Sequence, residues 1–358
     1  MKKALKMLMV VVIVATFSTV CYATEEDKYL EDFENAVPEE YKGSVGSAEE
    51  IISSLGIGAL LSEIGSAVSG EGSRVGGFFL LLIGLLSFTA LSSLVPDEHR
   101  KITEAGVLTL ASLAIYAGVS PLFGEVTLSL SKLSSFFAAV APILSSVTLS
   151  GGGVGSAAVQ SSAMSITLSL VGGAGSALLS AVSGFALAMS LVSAFGGDGA
   201  ASLSQSVRSI FGWVLGILTA LFTGTLSLQT LISSASDSAA MRAAKYLASG
   251  MIPVVGGTVA GSLSTLASGL SYVKSFIGAG GIFVIFSMAL SPVVLLLLYR
   301  LALSASASAA TLVGASGFSR VISAYRFALD TLIALYCLSF LLYIFEIILF
   351  VKSGVAIS

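Results

Sequence analysis

Residues 276–299 run from Phe276 to Tyr299 without one charged side chain. A spanning helix needs about 20 such residues, because the hydrocarbon core of a bilayer is about 30 Å thick. Inside that layer no water meets the backbone amides, so the chain must satisfy them internally, as helices or as a closed barrel. Comparable apolar segments recur at 77–95, 103–123, 134–150, 209–232 and 328–351. The stretch from Gly151 to Phe195 has the length of two more, although glycine, serine and alanine dilute its signal. The pattern predicts an all-α integral membrane protein, a polytopic bundle of about seven or eight transmembrane helices.

Composition sharpens this. The chain is 55% hydrophobic and 10% charged, against roughly 25% charged in an average soluble domain. The charges are also segregated: residues 24–74 hold 12 acidic and 3 basic side chains, residues 75–358 hold 8 and 11. An acidic head thus precedes a weakly basic body. Nucleic acid is excluded as a partner, since its phosphates demand a dense Lys/Arg footprint.

The first 23 residues read as a signal peptide: Lys2, Lys3 and Lys6, an apolar stretch from Leu8 to Phe17, then Cys21-Tyr22-Ala23 with small residues where a signal peptidase cuts. Cleavage after Ala23 starts the mature head outside the cytoplasm. The expected organisation is therefore a leader at 1–23, an acidic extracytoplasmic head with a juxtamembrane amphipathic helix at 24–75, and a multi-pass membrane domain at 76–358. In the head, Ile57, Leu61, Ile64 and Val68 alternate in steps of four and three, the spacing of one helix face. With the head outside, Arg100 and Lys101 fall inside, and Arg300, Arg320 and Arg326 share a later inside loop. Once the leader is removed only Cys337 remains, so neither an intrachain disulfide nor a thiolate metal cluster is available.

Two stripes of small residues stand four apart: Ser176, Ser180, Gly184 and Ala188, then Gly212, Gly216, Ala220 and Gly224. Such smooth faces let helix backbones approach closely, either within one subunit or at an interface. Between Ser236 and Phe276 the pattern changes. Val259, Leu263, Leu266, Leu270, Val273 and Ile277 form a helical seam, with serine, threonine and glycine on the other faces. Ile252-Pro253-Val254-Val255-Gly256-Gly257 precedes it, and proline with paired glycine breaks a helix and frees backbone groups that lipid cannot satisfy. A broken or re-entrant segment lining a path or buried in protein is one reading, and a plain interhelical turn is the other.

The run from Ser233 to Gly280 resembles the hallmark region of the stage III sporulation protein AE family of endospore-forming Firmicutes. Arg242 and Lys245, then Ile252 to Gly257, then Ser271 to Gly278 with Lys274 carry the likeness. The leader, acidic head and polytopic body agree with it. The resemblance implies a subunit of the channel-like apparatus joining mother cell and forespore, in the mother-cell membrane around the forespore. Implied partners are the other stage III proteins of its operon, including a secretion-type ATPase and ring-forming proteins, with stage II sporulation protein Q reached indirectly. On that basis Arg242, Lys245, Pro253, Gly256, Gly257 and Lys274 are the candidate partner-contact or path-lining residues.

Enzyme chemistry finds little material, and no cofactor is implied. His99 is the sole histidine and sits in a polar turn beside Arg100, which removes Ser/His catalysis and histidine-based zinc sites. Asp198 and Asp330 lie in unrelated contexts, unlike the paired acids of an aspartyl protease. No Gly-rich phosphate loop occurs. The alternative to a channel-complex subunit is a self-contained secondary transporter, for which Asp330 and Glu346, near the ends of the last span, are the coupling-ion candidates.

Overall fold

The computed structural model describes residues 27–43, 57–92, 95–151, 153–195, 205–207, 209–224, 227 and 256–352. Among them the chain is all helical. Two short helices, α1 (27–36) and α2 (Glu39–Lys42), precede α3 (Ile57–Ser92) and α4 (Asp97–Ser150). Then α5 (Val154–Ser169) passes through a π-helical turn at Leu170–Ala174 into α6 (Gly175–Phe195). The remainder is α7 (Gln205–Gly224), α8 (Gly256–Leu312) and α9 (Ser316–Lys352).

Six helical runs among the described residues are long and apolar enough to cross a membrane. Seven or eight crossings were expected, and two mergers account for the difference. The spans expected at 103–123 and 134–150 are one unbroken α4, because Glu125 and Lys132 interrupt the apolar run without interrupting the helix. Likewise the stretch to Phe195, with the length of two spans, is one run, and its paired Gly172 and Gly173 lie in the π turn. The expected juxtamembrane helix is continuous with the first span in α3, and the seam from Val259 is continuous with the 276–299 span in α8. The leader lies outside the described residues.

Proline and acid placement start α4. Pro96, at φ −55° and ψ 147°, is extended, and Glu98 stands in the first turn, where a negative charge complements the helix dipole. Between α8 and α9 the stop is at Gly314, whose φ of +79° suits glycine. There the amide of Ala315 donates to the carbonyl of Ala310 (2.9 Å) and that of Gly314 to Thr311 (3.2 Å), the paired bonds of a Schellman turn.

Three tyrosines of α9 set its register on α4. Tyr325 donates to the carbonyl of Ser112 (2.7 Å), and the hydroxyls of Tyr336 and Tyr343 meet those of Ser129 (2.6 Å) and Ser134 (2.8 Å). Both numberings rise together, so α4 and α9 run parallel. The α3 helix descends antiparallel to α4, with Phe78 facing Gly118 and Arg74 facing Glu125. The α5–α6 run also descends along α4, through Ser161 to Ser145 and Ser190 to Ser112. α8 is the most enclosed span, with 61% of its most apolar window buried.

The acidic head is docked rather than loose. Phe33 is fully buried and meets Phe276 edge-on at 6.2 Å, the Tyr29 hydroxyl meets that of Ser150 (2.8 Å), and Lys132 donates to Glu40 (3.3 Å). Burying a phenylalanine stabilises by about 1.5–3 kcal/mol, enough to hold a short helix in place.

Gly118 tests this packing. A Cβ there would stand 2.7 Å from the Phe78 ring, which is itself stacked on Tyr299 at 4.6 Å. Gly118→Val should cost about 1–3 kcal/mol through overpacking, seen as a lower unfolding midpoint in detergent, whereas Gly106→Val, with open space around it, should leave the midpoint unchanged.

Candidate functional site

Lys274 and Glu346 are the two buried acidic or basic side chains of the described core, 3% and 0% exposed. The α8–α9 hairpin brings them to one place. A Cβ at Gly278 would collide with Val351, and one at Gly281 would stand 3.0 Å from Ile347, so the glycines let α8 and α9 touch here. One turn before Gly278, the Lys274 ammonium lies over the Phe350 ring, 5.1 Å from its centroid. One turn before Phe350, Glu346 accepts a hydrogen bond from Thr167 of α5 (3.0 Å). Ammonium and carboxylate therefore share one compartment of the core, walled by α5, α8 and α9.

A buried charge of either sign is expensive unless it is compensated, by several kcal/mol per ion. The ring face and the threonine hydroxyl supply part of that compensation. The π turn begins three residues after Thr167, and such turns release a helix from strict i to i−4 bonding, often beside functional side chains.

A second polar level lies along the bundle. Arg74 pairs with Glu125 (2.5 Å) and reaches Glu71 (3.9 Å), and Tyr299, buried against Phe78, lies beside Arg74. The next residue, Arg300, pairs with Asp330 of α9. The four paired side chains are 37–44% exposed. Nearer the hairpin tip, a cavity of about 60 Å³ is bounded by Ser92, Arg100, Glu104, Gly314 and Gly317, with room for a few waters. It places Arg100 beside the α8–α9 turn, at the end of the bundle where the sequence puts both inside loops.

The structure treats the expected residues unequally. Arg242, Lys245 and Pro253 lie outside the described residues. Gly256 and Gly257 form the first turn of α8, far along the helix from Lys274. Of the small-residue stripes, Ser176 lies in α6, while Ser180, Gly184, Gly212, Gly216 and Gly224 face outward. Among the described residues nothing stands within 4 Å of a Cβ at any of those four glycines. The transporter candidates also move. Glu346 is enclosed rather than interfacial, and Asp330 sits mid-helix, ion-paired. Sequence reasoning missed the pairing of Arg300 with Asp330, whose signal is their near-equal distance from Gly314: residues equidistant from a hairpin turn face each other. Thr167 and Phe350 carried no signal of their own.

The family model for stage III sporulation protein AE matches residues 58–354. The chain belongs to that family, and membership implies a role in sporulation. No curated protein and no solved structure matches it.

The shared compartment makes a definite energetic claim. Lys274→Met or Glu346→Leu alone should cost about 3–5 kcal/mol, because each strands a buried charge. The double variant should lose less than the sum, by more than about 0.5 kcal/mol, in denaturant unfolding of the detergent-solubilised protein. Strict additivity would show that the two charges do not sense one another.

Proposed function

We propose that this protein is a non-catalytic transmembrane subunit of the channel or secretion-like complex that links mother cell and forespore. The family match over residues 58–354 carries the reading. Several features of the fold support it. The bundle leaves small-residue faces of α6 and α7 outward, the kind of surface on which another membrane helix seats closely. Among the described residues, Arg74, Glu125, Arg300, Asp330 and Lys274 are committed to pairs and packing. On this reading the protein lies in the mother-cell membrane surrounding the forespore. Its partners are the secretion-type ATPase and ring-forming proteins of its operon, with stage II sporulation protein Q beyond them. Arg242, Lys245, Pro253, Gly256, Gly257 and Lys274 contact partners or line the path. Asp330, held by Arg300, is a poor coupling-ion site, which weighs against a self-contained transporter.

The test is affinity purification of the tagged protein from sporulating cells in mild detergent, with mass spectrometry of what accompanies it. The ATPase and ring proteins should co-purify, and Gly216→Leu should reduce their recovery together with spore yield. A lone monomer or homodimer, under conditions where another membrane complex stays intact, would sink the subunit reading. Normal complex recovery and spore yield with bulky residues at Pro253 or at Gly256 and Gly257 would remove those residues from the site.

A further inference from the structure

α4 and α8 have 54 and 57 residues, so each is about 80 Å long at 1.5 Å per residue. The hydrocarbon core is about 30 Å thick. Helices of that length fit within the hydrocarbon only if laid nearly flat, so a bundle of aligned helices that crosses the bilayer must extend well beyond it. We infer that the level of Arg74–Glu125 and Arg300–Asp330 is the outer membrane boundary, which moves Arg300 from the inside loop expected of it to the outer edge and leaves Arg320 and Arg326 on the turn side. The bilayer surrounds only the half toward the α8–α9 turn, and the other half, with the acidic head, forms a helical body outside it.

Three independent observations select that half. First, a half-exposed ion pair is costly in the hydrocarbon core and natural at its edge, and two such pairs from four helices fall at one level. Second, α1 and α2 lie along the half beyond this level, from Ser150 and Phe276 down to Lys132, with Asp27, Glu31, Asp32 and Glu34 exposed. A helix carrying those acids outward cannot lie in lipid. The same half exposes serine hydroxyls on α3 and α5, Ser66 and Ser162 among them. The apolar side chains it also exposes, of which Leu128, Leu149, Val154 and Tyr272 are more than half exposed, share the surface with these acids and hydroxyls.

Third, the half toward the turn exposes large apolar side chains: Leu80, Phe88, Leu91, Leu110 and Phe195 are all more than half exposed. α7 joins this half through Phe211, which meets Phe185 and Phe327, and it holds Trp213 72% exposed. From Arg74 to Ser92 the α3 helix rises about 27 Å, close to the depth of the hydrocarbon, while α8 from Arg300 to Leu312 and α9 from Ser316 to Asp330 reach about 20 Å inward from the same level. The strongly apolar 276–299 run is then a buried core strut outside the membrane, which explains why the most apolar helix is also the most enclosed. The compartment of Lys274 and Glu346 falls in the outer body, within reach of extracytoplasmic partners.

Trp213 is the sole tryptophan, so the full-length protein carries its own probe. In nanodiscs of dibrominated phosphatidylcholine its fluorescence should fall to about half or less of that in unbrominated discs, as expected of an indole in the acyl region, with little quenching by aqueous acrylamide. In a Cys21→Ser, Cys337→Ser background, Ser66→Cys and Ser162→Cys should react with a charged maleimide as fast as in the denatured chain. Leu80→Cys and Leu110→Cys should react about tenfold slower or less, because a thiol in hydrocarbon stays protonated. Purified protein in nanodiscs exposes both faces and carries no partner, so protection reports lipid alone. Protection at Ser66 and Ser162, whether or not Leu80 is also protected, would overturn the assignment, as would a Trp213 that acrylamide quenches and brominated lipid does not.

Discussion

Three tyrosine hydroxyls on α9 meet three serines on α4, and the rest of the bundle takes its alignment from that seam. Tyr325, Tyr336 and Tyr343 are among the largest fully buried side chains, and their rings fill the space that the short serines leave. A buried hydroxyl without a partner costs about 1–3 kcal/mol, so a slip of one turn would orphan several at once. Ser190 of α6 joins at one end by donating to the Tyr325 hydroxyl (2.8 Å), and Phe137 packs on the Tyr343 ring at 4.5 Å near the other. With α9 fixed on α4, the tight turn at Gly314 fixes α8 against both. The positions of Lys274 opposite Phe350 and Arg300 opposite Asp330 follow from that geometry rather than from any local preference.

The seam also explains how buried charge is tolerated. Glu346 lies one turn beyond Tyr343, at a depth where α5 presents Thr167 and α8 presents Lys274. Truncating either charged residue leaves the other in a low-dielectric space, whereas exchanging both for apolar groups removes the problem. Stability alone does not require such an arrangement. Its place away from the half-exposed pairs points to registration of α8 against α9 or to a contact made from outside.

Much of the fold was legible in the apolar runs, because lipid leaves a chain few options and spanning segments announce themselves by length. Continuity was not legible. Glu125 and Lys132 read as the end of one span and the start of the next, yet both sit on the surface of α4 with partners, Arg74 and Glu40, that come from distant sequence. The head's acids Glu31 and Asp32 face outward, while Phe33 and Val37 carry it onto the bundle. The tyrosine spacing of 11 and 7 residues is a helical face that hydrophobic periodicity hides, since tyrosine counts as apolar and its serine partners as diluting. Of the candidate site, Lys274 and Glu346 were singled out, each for a different role, and their meeting was not read. Their neighbours are tertiary, contributed by residues 70 or more positions away.

Glycine illustrates why composition could not separate packing from interface. Gly118, Gly278 and Gly317 stand where a Cβ would strike Phe78, Val351 and Leu108, so each marks a close approach already made within the chain. Gly184, Gly212, Gly216 and Gly224 have the more regular spacing and the stronger sequence signature, yet open space lies around them among the described residues. Regular four-residue spacing draws a continuous groove along one helix, which suits a long straight partner helix. Isolated glycines suit single crossings, where one large ring or branched side chain needs room. Among the described residues the fold uses irregular glycines to assemble itself and keeps the regular ones outward.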